Sequence, residues 1–67
     1  MKGAMLLKEW LETHGSTAPR VAALVGVSGS AMYAYLTEIY RPGRKAAVAI
    51  ERLTEGAVPV ASWEEEV

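Results

Sequence analysis

Apolar positions recur along most of the chain at the three- and four-residue spacing of amphipathic helices, and glycines fall where that spacing breaks. Leu7, Trp10, Leu11 and His14 follow the i, i+3, i+4, i+7 rule while Lys8, Glu9 and Glu12 face water, which predicts a first helix over 4–14 stopped by Gly15. A second helix starts near Ser16-Thr17-Ala18-Pro19. Thr17 is its expected N-cap, with the hydroxyl accepting from the Arg20 amide, and Pro19 in the first turn loses an N–H that has no helical partner anyway. Val21, Ala22, Leu24 and Val25 form its apolar side before Gly26 ends it. Ser28 opens a third helix running from about Gly29 to Thr37, with Met32, Tyr35, Leu36 and Ile39 on an inner face and Ser30, Tyr33, Ala34 and Thr37 on the outer one. Tyr40-Arg41-Pro42-Gly43 reads as a turn. A fourth, alanine-rich helix covers 44–53 and closes at Gly56. In the remainder, 57–67, Pro59 forbids an interior strand, and Ser62-Trp63-Glu64-Glu65 resembles a capping box opening a last helical turn.

This pattern predicts an all-α fold, a compact four- to five-helix arrangement in one domain spanning 1–67, with 57–67 as a short tail. A chain of 67 residues buries roughly 60% of its unfolded surface and leaves no room for a deep active site. No apolar run approaches the roughly 20 residues of a membrane helix. Cysteine is absent, which excludes a disulfide framework and a thiolate metal site. Asp, Asn and Gln are absent as well, and His14 is the single imidazole. Acid–base chemistry therefore lacks a constellation, and no catalytic role, cofactor, metal or small-molecule substrate is expected.

The junction between the second and third helices carries the functional signal. A two-helix turn this tight needs one backbone position at positive φ, supplied by Gly26, and one close helix–helix approach, supplied by Ala22. Val21, Val25, Val27 and Met32 then fill the wedge. With these residues in place, Thr17–Thr37 resembles the helix-turn-helix of lambda-like phage repressors. The whole chain, with RKAAVAIERLTEGAV following, is similar to the Cro repressors and the YdaS-like prophage regulators over roughly residues 6–60. The resemblance implies a lambda-repressor-like domain that binds double-stranded DNA in a bacterial cytoplasm, as a small dimer, with residues 28–37 in the major groove. It departs from that pattern where relatives carry an amide, at Ala18 and Ala34. With no Asn or Gln anywhere, the bidentate adenine contact is chemically absent.

Base readout then falls to the hydroxyls of Ser30, Tyr33 and Thr37, to Ala31 or Ala34 against thymine methyls, and to Arg41 or Arg44 on guanine. Phosphates would be held by the first-turn amides of helices two and three with the Thr17 and Ser28 hydroxyls, and by four cations expected near one face, Arg20, Arg41, Arg44 and Lys45. The formal net charge of −1 opposes a polyanion binder, but three of the eight acids are Glu64, Glu65 and Glu66. Residues 1–63 are basic by two charges, and the acidic run is expected away from the DNA. Val58, Val60 and Trp63 are the apolar residues left over, expected to join two copies into a weak homodimer. The alternative is a protein-binding helix-turn-helix, an antitoxin or assembly adaptor, favoured by the net charge and the small residues of the third helix.

Overall fold

The computed structural model describes residues 1–66; Val67, the end of the predicted tail, lies outside them. Four α-helices follow in order, α1 Lys2–His14, α2 Ala18–Val25, α3 Gly29–Leu36 and α4 Arg44–Leu53, and a 3-10 segment, Val60–Glu64, closes the chain. No strand occurs among the described residues, so the fold is all-α as the periodicity predicts.

All four helices stop by the same device. At or just past the C-cap one residue turns left-handed, and the N–H that follows it reaches back to a carbonyl five residues earlier, the Schellman arrangement. In α2 this residue is Gly26 (φ 79°), with the Val27 N–H donating to the Ala22 carbonyl at 3.0 Å. In α3 it is Glu38 (φ 62°), with the Ile39 N–H donating to the Ala34 carbonyl at 2.9 Å. In α4 it is Glu55 (φ 53°), one residue before the predicted stop, and the Gly56 N–H donates to the Glu51 carbonyl at 2.9 Å.

The core is built from one or two side chains of each element: Leu7 of α1, Val21 and Ala22 of α2, Met32 and Tyr35 of α3, Ala47 and Ile50 of α4. Val58 and Trp63 complete it. They are buried in the chain's own interior, at 0% and 2% exposure, and Val60 packs against the same cluster. These three residues, expected to join two copies, therefore offer little surface to a partner. The tail folds back on α1 because its backbone finds a partner there, the Lys2 N–H donating to the Glu65 carbonyl at 2.8 Å, while Gly3 lets the Trp63 indole lie directly on the helix. Helix α1 accordingly begins two residues earlier than its periodicity suggests.

The Ser62 capping box does not form. Ser62 is buried in mid-segment and its hydroxyl donates to the Pro59 carbonyl at 2.6 Å. The approach to the tail is instead set by Thr54, whose hydroxyl donates to the Ile50 carbonyl at 2.8 Å and accepts from the Val58 N–H at 3.1 Å. The Glu51 carboxylate accepts from the Val60 N–H at 3.2 Å.

Candidate nucleic-acid interface

Helices α2 and α3 meet through Gly26-Val27-Ser28, and the expected wedge is present, with Val21, Ala22 and Met32 buried and Val25 and Val27 packed at its edge. This holds α3 against the rest of the domain by a broad inner face. Its outer face consists of Ser30, Tyr33 and Thr37, all exposed, Tyr33 by 64%. Two residues depart from the expected division. Ala34, assigned to the outer face, is 5% exposed and has no access to a base. Ile39, assigned to the core, is 67% exposed, because the left-handed turn at Glu38 sends the chain off the helix before it. Ala31 is half-buried on the border.

The hydroxyls on this face differ in what they have left to give. Ser28 caps α3 by accepting from the Ala31 N–H at 3.0 Å, so its own proton remains free to donate. Thr37 donates to the Tyr33 carbonyl at 2.7 Å and keeps only acceptor capacity. Thr17 stands at the N-cap of α2 in extended conformation, but its side chain makes no cap bond; the expected bond from the Arg20 amide is absent and the hydroxyl stays exposed. Tyr35, on the inner face, has its hydroxyl pushed above the ordinary 10.0 by burial first and by the neighbouring Tyr40 second, so it remains a neutral phenol.

The four candidate cations do not form one patch. Arg44 and Lys45 open α4, are exposed, and border a depression whose other wall is the α2–α3 turn at Gly26 and Val27. Helix α4 has no acidic residue in its first turn and no side-chain cap, and neither cation has an ion-pair partner among the described residues. Arg20 lies apart, in a groove with Trp10, His14 and Leu24 between α1 and α2. His14 stacks on Trp10, with ring centroids 4.3 Å apart, and its Nδ1 donates to the Trp10 carbonyl at 3.0 Å. Leu24, expected on the apolar side of α2, is 61% exposed.

Arg41 sits at the opposite end of α3 and is engaged. Its guanidinium pairs with the Glu64 carboxylate, so the acidic run lies against a predicted phosphate ligand rather than away from it. The next carboxylate, Glu65, lies 3.8 Å from the Lys2 ammonium, and the Met1 amino group pairs with Glu38. Lys2 and Gly3 are residues that sequence reasoning misses, since their partners lie some sixty positions away and no local periodicity marks them.

No helix among the described residues is long and apolar enough to cross a membrane. No family model matches the chain, and neither a curated protein nor a solved structure matches it.

Proposed function

We propose that this chain is a small DNA-binding transcriptional regulator that lays α3 in the major groove of duplex DNA, in the manner of the Cro-like repressors it resembles. The observation that carries the reading is the pairing of an open α3 face with Arg44 and Lys45 at the N-terminal end of that helix. Two cations in the first turn of α4 oppose its dipole and stand without a carboxylate partner among the described residues, an arrangement that a phosphate would stabilise. Ser30, Tyr33 and Thr37 face the bases, with a thymine methyl able to meet the exposed edge of Ala31. Ser28, Thr17 and Arg20 add backbone contacts. A domain of this size covers one half-site, and two copies a helical turn apart would read a two-fold operator.

A salt titration of a labelled duplex tests this directly. With Arg20, Arg44 and Lys45 available, log affinity should fall with log salt at a slope of about −2.7. A slope near zero, or no binding at low salt, rules the reading out.

One observation favours a second reading, that of a protein-binding adaptor. Exposed Leu24 shares the groove of Arg20 with the Trp10–His14 stack, and Trp and Arg are the side chains that most often anchor protein interfaces. An adaptor passes through immobilised duplex at low salt, whereas a DNA reader is retained.

A further inference from the structure

Helix α3 has cations at both ends, and only one end is open. Its eight residues span about 12 Å, close to the roughly 12 Å width of the major groove. At the N-terminal end Arg44 and Lys45 are unpaired among the described residues. At the C-terminal end Arg41 and Lys2 are each held by a carboxylate of the tail, Glu64 and Glu65. The two acids are consecutive, so two neighbouring anionic groups on one short backbone stretch meet two cations on different elements, one in the α3–α4 connection and one at the start of α1. That is also what two successive phosphates of a nucleic-acid strand present. All four side chains are largely in water, at 54% and 70% exposure for the Arg41 pair and 45% and 50% for the Lys2 pair. Ion pairs this exposed are weak and easily exchanged. The backbone bond from the Lys2 N–H to the Glu65 carbonyl, together with buried Trp63, fixes the tail in place without those side chains. The carboxylates can therefore let go while the fold stays closed.

We propose that Lys2 and Arg41 form a second phosphate-binding site, on the strand across the groove from Arg44 and Lys45, and that Glu64 and Glu65 occupy it as phosphate surrogates. The inference rests on the DNA-binding reading. The tail then sets affinity: a phosphodiester strand must displace two internal carboxylates before Lys2 and Arg41 add to binding.

The test compares three full-length proteins on one duplex across a salt series, with folding checked by circular dichroism. Glu64→Gln with Glu65→Gln frees the site. Glu9→Gln with Glu12→Gln makes the same change in net charge on the far part of α1, where neither acid has an ion-pair partner among the described residues. The tail variant should show a salt slope steeper by about 1.8, so that its advantage over the wild type shrinks about twelvefold between 0.05 M and 0.2 M salt. The α1 variant should bind slightly tighter with the wild-type slope. Adding Lys2→Gln and Arg41→Gln to the tail variant should return the slope to the wild-type value. Equal slopes for the tail and α1 variants, with wild-type binding intact, overturn the second site and leave the DNA reading standing. Failure of the wild type to bind duplex at low salt overturns both.

Discussion

At the scale of single residues, the contact between Gly3 and Trp63 decides how the chain closes. A glycine in a helix costs about 1 kcal/mol relative to alanine, so Gly3→Ala ought by propensity to stabilise α1. Here a Cβ would fall 2.4 Å from the indole Cδ2 of Trp63, with two more ring atoms within 2.8 Å. The ring has little room to retreat, because it is 2% exposed and packs edge-to-face with Tyr35 at a centroid distance of 6.3 Å. Its Nε1 is buried without an acceptor among the described residues. Tryptophan contributes here chiefly through the area it buries. We expect Gly3→Ala to lower stability by about 1–3 kcal/mol, the usual range for overpacking a filled site, measured by thermal melting. An increase in melting temperature would show that the indole has room to move. Nothing in the neighbourhood of Gly3 in sequence announces this constraint, since a glycine near the start of a helical pattern reads as a weak helix former.

At the scale of elements, what was legible and what was not follow from the width of each buried face. Helices α1, α2 and α4 bury a stripe that a 3.6-residue period picks out, and Gly15 and Gly26 mark two of the stops. The end of α3 has no glycine, and a glutamate in the left-handed region leaves no compositional trace. Helix α3 is also covered over a wider arc than a surface helix, taking in Ala31, Met32, Ala34, Tyr35 and Leu36 to different degrees and leaving only Ser30, Tyr33 and Thr37 with Gly29 outside. Periodicity alone groups Ala34 with Ser30 and Thr37. Only its position under the neighbouring elements separates it from them, and alanine, which suits either side, gives no hint. The two faces make a paired expectation. Tyr33→Ala should change stability by no more than about 0.5 kcal/mol while altering which duplex sequence is preferred. Ala34→Leu should cost about 1–3 kcal/mol by overpacking and leave sequence preference unchanged in the folded fraction. Denaturant unfolding and competition binding on the same samples distinguish them. Unfolding by the Tyr33 change would mean that α3 is rotated about its axis.

At the scale of the whole molecule, the tail is the last wall of a core too small to do without it. A 67-residue domain has a net stability of about 3–10 kcal/mol. Truncating a buried tryptophan costs about 3–5 kcal/mol, a large share of that margin. Apolar residues left over after four amphipathic helices have been assigned could cover the chain's own core or another copy's, and composition does not distinguish the two. Small residues at one end of α1, Gly3 and Ala4, leave the space that makes the first arrangement possible, and Val58 and Trp63 fill the interior beside it. The two arrangements predict different behaviour for Trp63→Ala. With the tail acting as a core element, the variant should lose most of its cooperative melting at 25–37 °C, and lowering protein concentration should not reproduce that loss in the wild type. With the tail acting as an interface, the variant would keep its fold and its sedimentation coefficient would drop to that of a single copy. Melting curves and sedimentation of both proteins over a hundredfold range of concentration separate these outcomes. We expect the first, because the indole is enclosed within one chain and its removal opens a cavity against Gly3, Tyr35 and the elements that carry them.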